Sequence, residues 1–120
     1  MSKPNLIVDK TFHFSLMAIE LCNVLDERKK FAISNQLLRS ATSIGANVRE
    51  AQNAESESDF VHKLKIAAKE AEETMYWLDL CLYSPTYPNT ENEKTELLSI
   101  IRIINKIIGT IKTKHQFAMN

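Results

Sequence analysis

Glycine and proline are nearly missing from this chain, at two and three in 120 residues. With so few places to turn, many short strands joined by tight hairpins are excluded, and a few long elements are expected. An excess of either charge is missing too, because fifteen Lys and Arg offset fifteen Asp and Glu. Binders of nucleic acid or membrane surfaces usually show a basic excess, so any such contact here needs a local patch. Cysteine is limited to Cys22 and Cys81, each inside an apolar helical run and without paired spacing, which points to free structural thiols rather than a disulfide. Met1–Asn5 leads into a segment broken by Asp9, Lys10 and His13. That pattern reads as neither a signal peptide nor a spanning helix, so a cytoplasmic location is expected.

What is present is the ordinary balance of a globular protein, 44% hydrophobic and 25% charged. Residues 1–120 are read as one domain, long enough to bury a core without disulfide or metal. Hydrophobic periodicity predicts an all-α chain of four amphipathic helices over about 6–28, 34–53, 56–84 and 90–115. In the first helix, Phe12, Phe14, Leu16, Met17, Ile19 and Leu21 cover more than the roughly 100° stripe that a surface helix needs. Asp26 to Lys30 forms a charged link without Gly or Pro. In the second helix, with Ser34 as its expected N-cap, Leu37, Ala41, Ile44, Val48 and Ala51 follow a 4-3 heptad seam. A parallel polar line runs beside it through Gln36, Ser40, Ser43, Asn47 and Glu50. Ser56 and Asp59 open the third helix, whose seam runs from Phe60 to Cys81 and which must stop before Pro85. Thr90 to Glu93 reads as a capping box for the fourth, where Leu97 to Ile111 again carries a stripe too wide for one neighbour. Similar lengths and short connections predict an up-and-down antiparallel bundle. The surplus apolar surface on the first and fourth helices suggests self-association, the alternative being a monomer with a deep core. Gly45 and Gly109, each alone inside a helix, are expected to permit close packing.

Catalytic chemistry has no foothold. There is no G-x-S-x-G, no Cys–His constellation and no Gly-rich phosphate loop, so no enzyme and no cofactor are expected. A di-iron bundle needs two Glu-x-x-His motifs, and only Asp59-Phe60-Val61-His62 approaches one, leaving His62 a solvated side chain. A nucleic-acid face is conceivable on the fourth helix, where Lys94, Arg102, Lys106 and Lys112 project within about a third of the circumference. Lys114 and His115 add to it. A stripe of this kind is either a binding surface or merely a solvated face. Lys63, Lys65 and Lys69 on the third helix are interleaved with Glu70, Glu72 and Glu73, which reads as ordinary pairing along one helix.

From Gln36 to Glu50, the segment Gln-Leu-Leu-Arg-Ser-Ala-Thr-Ser-Ile-Gly-Ala-Asn-Val-Arg-Glu resembles the signature of a bacterial family. These are the four-helix bundle proteins named after the 23S rRNA intervening sequence, also called S23 ribosomal proteins. Gln36, Arg39, Ser43-Ile44, Asn47-Val48 and Glu50 fall on the pattern, and the likeness continues through Ser56, Asp59-Phe60, Leu64, Ile66-Ala67 and Glu73. Two positions depart: the family's Gly after the Glu is Ala51, and its Gly-Ser pair is Lys69-Glu70. The resemblance implies the same bundle and self-assembly. Accessory proteins of diversity-generating retroelements, which are related, form homopentameric barrels and bind nucleic acid, but they are strongly basic. On that family pattern, Gln36, Arg39, Ser43, Asn47, Glu50 and Glu73 are expected to form a hydrogen-bonded network between the second and third helices, since buried polar groups must be paired. The expectation is a self-assembling, non-enzymatic bundle, a homopentamer, serving as an interaction or nucleic-acid accessory module. Its alternative is a protein-binding scaffold without nucleic-acid contact.

Overall fold

Four helices account for nearly all of the chain in the computed structural model, which describes residues 5–119. They are α1 (Leu6–Glu27), α2 (Phe31–Ala51), α3 (Glu57–Tyr83) and α4 (Glu91–Met119). The Met1–Pro4 segment lies outside the described residues. α1 packs on α2, α2 on α3, α3 on α4, and α4 returns to α1, without diagonal contacts among the described residues. Short links therefore give the expected up-and-down four-helix bundle, 55 × 31 × 20 Å.

The helix ends show how few Gly and Pro the fold needs. α1 starts at Asn5, whose side chain accepts from the Val8 N–H. It stops in a Schellman motif: the Lys29 N–H donates to the Asp26 carbonyl at 2.9 Å and the Lys30 N–H to the Leu25 carbonyl at 2.8 Å. The left-handed position usually taken by Gly is held by Lys29, at φ 62°. α2 consequently begins at Phe31, three residues earlier than its expected Ser34 cap. Ser34 is instead buried within the helix, where its hydroxyl donates to the Cys22 carbonyl at 3.3 Å and ties α2 to α1. Ser56 caps α3 as expected, accepting from the Asp59 N–H at 3.0 Å. The helix ends at Tyr83, clear of Pro85. Thr90 does not act as a capping-box hydroxyl. Its Oγ1 donates to the Leu78 carbonyl at 2.7 Å, while Asn89 caps α4 by accepting from the Glu91 N–H.

The predicted seams form the core. Leu37, Ala41, Ile44, Val48 and Ala51 of α2 are buried, as are Leu64, Ala67, Ala71, Leu78 and Cys81 of α3. Cys22 and Cys81 are free, buried thiols, and burial pushes the Cys81 thiol up to about 11. Gly45 serves close approach, since a Cβ there would lie 3.3 Å from the Thr11 carbonyl oxygen. Gly109 does not: a Cβ there meets nothing within 4 Å. The surplus on α1 is real, with Phe12 at 53%, Leu16 at 46% and Ile19 at 43% exposure. On α4 the surplus is smaller, because Ile101, Ile103 and Ile107 pack partly against the core and Leu98 alone of the large apolar residues described there is exposed.

Candidate nucleic-acid interface

Packing sorts the charges of α3 by direction. Residues facing α2 take part in cross-helix pairs: Lys63 donates to Glu50 at 3.0 Å, Glu70 accepts from Arg39 at 3.3 Å, and Glu73 accepts from Arg39 and, at 3.1 Å, from the Trp77 indole N–H. The pairing expected between Lys69 and Glu72 or Glu73 is absent, because the Glu73 carboxylate is turned to α2. Lys65 and Lys69 remain exposed away from α2, Lys65 beside Ile111 and Lys112 of α4 and Lys69 one turn further along the outer surface of α3. Helical geometry explains the split, since a step of one or two residues turns the side chain by 100° or 200°. Two of the three acids interleaved with these lysines, Glu70 and Glu73, are thereby separated from them in space.

α4 completes that face. From Leu97 onward the described helix carries Arg102, Lys106, Lys112 and Lys114 and no carboxylate. Arg102, Lys106 and Lys112 are exposed, and among the described residues neither they nor Lys65 and Lys69 have a carboxylate within 4.0 Å. Glu72 is the one acidic side chain of α3 between Lys65 and Tyr76 that stays unpaired towards α4. Lys94 stands apart from the other three α4 cations expected at this face. It bridges Asp79 at 2.7 Å, and that hydrogen bond holds its ammonium pKa above the usual lysine value. At the far end, Lys114 and His115 close on Glu57, whose carboxyl the His115 hydrogen bond, with help from Lys114, holds below the usual glutamate range. Between Lys65 and Lys112 lies an open groove of about 620 Å³ with Val61 and Ile111 in its lining and His62 at its side. The arrangement is a two-helix basic strip, long enough to follow a run of phosphates.

The polar line of α2 is partly a network and partly a set of local bonds. Arg39 and Glu50 reach α3, and Ser40 accepts from the Thr74 hydroxyl at 2.8 Å in full burial. Ser43 and Asn47 bond back to their own helix, to the Arg39 and Ser43 carbonyls, and Gln36 is exposed without a hydrogen bond to the described residues. Ser40 and Thr74, outside the expected set, make its best-buried link. Thr74 lies on the seam of α3 and Ser40 on the polar line beside the seam of α2, which was the available signal. No group of three or more potential metal ligands occurs among the described residues, and no helix of the described residues is long and apolar enough to cross a membrane.

The chain is similar to known proteins along most of its length. A family model described as 23S rRNA-intervening sequence protein matches residues 3–110. A solved structure of a protein of unknown function from the S23 ribosomal protein family of Bacteroides thetaiotaomicron is 40% identical, with a TM-score of 0.81. The match covers 85% of this chain and 97% of that one. No curated protein matches.

Proposed function

The chain belongs to the 23S rRNA-intervening sequence protein family, and from that premise we propose that it works without catalysis, as a self-assembling bundle whose α3–α4 face holds nucleic acid. One observation carries the binding part: Lys65, Lys69, Arg102, Lys106 and Lys112 are exposed on α3 and α4 without carboxylate partners, while Glu70 and Glu73 are drawn to Arg39 of α2 and Glu72 alone of the interleaved acids stays towards the face. Overall neutrality does not oppose this reading, because the Debye length near physiological salt is only about 8 Å and a local patch is what a phosphate feels. Exposed Phe12, Leu16 and Ile19 support assembly, as a contiguous apolar patch marks an interface. Five copies, in the cytoplasm, is the form we assign.

Binding of a labelled structured RNA and of a DNA duplex across a salt series tests the proposal. Affinity should fall steeply with salt, and the Arg102→Glu/Lys106→Glu variant should bind at least about tenfold more weakly, with a salt slope reduced by about two. Lys29→Glu, the same change at the α1–α2 turn, should leave binding nearly intact. No binding at low salt would retire the nucleic-acid reading and leave a scaffold for another protein.

A further inference from the structure

Along α3 an exposed line recurs every seven residues: His62, Lys69, Tyr76 and Tyr83. Seven residues are close to two turns, so each member sits about 10.5 Å beyond the last and drifts by only about 20°. The basic strip therefore runs directly into two aromatic rings. Tyr76 is 57% and Tyr83 is 80% exposed, so neither ring serves the core. Leu98 of α4 lies exposed on the same flank.

Both rings are held in place by their surroundings. Trp77 meets Tyr76 edge-on, with centroids 5.3 Å apart and planes at 63°. The Trp77 indole is itself fixed by its bond to Glu73, which Arg39 also holds. Lys94 stands 5.9 Å from the Tyr83 centroid and is anchored by Asp79. Each tyrosine is thus braced from one side and open on the rest.

A cation track leading to open aromatic rings is the two-part layout that binds single strands, with phosphates along the track and bases stacked on the rings. A duplex keeps its bases stacked inside and offers no ring face to a tyrosine. We propose that the α3–α4 face takes a single strand of nucleic acid, its phosphates along Lys65, Lys69, Arg102 and Lys106 and its bases on Tyr76 and Tyr83. This rests on the nucleic-acid reading of the same face. Stacking and phosphate contacts do not read the sugar hydroxyl, so RNA and DNA strands should bind alike.

The test uses the whole chain with labelled oligo-dT and oligo-U of twelve nucleotides and a duplex of equal length, followed by anisotropy. Fluorescence of Trp77, the sole tryptophan, provides a second signal beside Tyr76. Both strands should bind about tenfold or more tighter than the duplex and should quench Trp77. Tyr76→Ala/Tyr83→Ala should weaken strand binding by about tenfold or more per stacked base, with the salt slope and duplex affinity unchanged. Tyr76→Phe/Tyr83→Phe should keep most of the binding. If Arg102→Glu/Lys106→Glu abolishes binding but strands show no advantage and the alanine variant behaves as the parent, the basic face stands and the single-strand inference falls. A change of molar mass in the alanine variant without loss of strand affinity overturns it as well, assigning the rings to self-association. If nothing binds, both readings fail together.

Discussion

Lys29 is the residue at which local chemistry and fold disagree most. The Schellman hydrogen bonds after α1 require a left-handed residue, and a lysine Cβ makes that conformation cost about 1 kcal/mol that glycine avoids. Lys29→Gly should therefore raise the unfolding free energy by roughly 0.5–1 kcal/mol, less whatever the more flexible unfolded chain gains. A urea midpoint shifted upward with an unchanged slope would show it; an unchanged or lower midpoint would mean that the turn is held by something else. The same residue explains why the α1–α2 boundary was the least legible feature of the sequence. Without its usual Gly the motif leaves no mark, and Ser34 offered a false start signal. Ser34 and Thr90 both look like caps because short hydroxyl side chains favour helix starts. Both are buried instead and donate to carbonyls of a neighbouring helix, a use that depends on tertiary packing and leaves no local trace.

Within the elements, the two glycines separate propensity from packing. Each sits in a helix interior with negative φ, where alanine is favoured by about 1 kcal/mol. At Gly109 the new methyl enters open space, so Gly109→Ala should gain most of that amount. At Gly45 it would press on the Thr11 carbonyl at 3.3 Å and the Ser15 hydroxyl at 3.4 Å, and backbone does not yield as a flexible side chain does. Gly45→Ala should gain nothing or lose stability, so thermal midpoints of the two variants should move apart. An equal gain in both would show that α1 can back away from α2 freely. The sequence made these positions look alike, because an isolated Gly in an apolar run states nothing about its neighbour. It made the heptad seams of α2 and α3 plain, since every member of a 4-3 repeat faces one way. The direction of the acids was the intermediate case. Helical spacing separates Lys69 from Glu70 by 100°, but only the packing order of the helices says which flank meets α2 and which is left open.

At the scale of the whole molecule, neutrality hides an asymmetry. α1 carries Asp9, Glu20, Asp26 and Glu27 against Lys10 alone, whereas α4 beyond Leu97 is purely basic among its charged residues. Since α3 and α4 stand across the bundle from α1 and α2, the apolar patch of α1 and the basic strip lie on opposite sides. A closed ring of five needs two different patches on each copy, because its interface joins head to tail. α1 exposes apolar residues on both flanks: Phe12 beside Gly45 and Ala46 of α2, with Leu16 and Ile19 one and two turns further along, and Val24 beside Asn92 and Glu93 of α4. Copies joined through α1 would keep every basic face open, and several faces on one strand would bind with an effective concentration that single chains lack. Leu16→Asp/Ile19→Asp should accordingly reduce the molar mass from about five times to one times the 13.7 kDa chain, with helical signal preserved. The same variant should lose roughly a hundredfold or more in affinity for a long strand, the low end of what linked sites supply, yet keep its affinity for a strand too short to span two copies. Sedimentation equilibrium combined with binding to the two strand lengths would check both halves. A parent protein of 13.7 kDa at micromolar concentration would overturn the assembly, and equal losses on long and short strands would place α1 in the binding face itself.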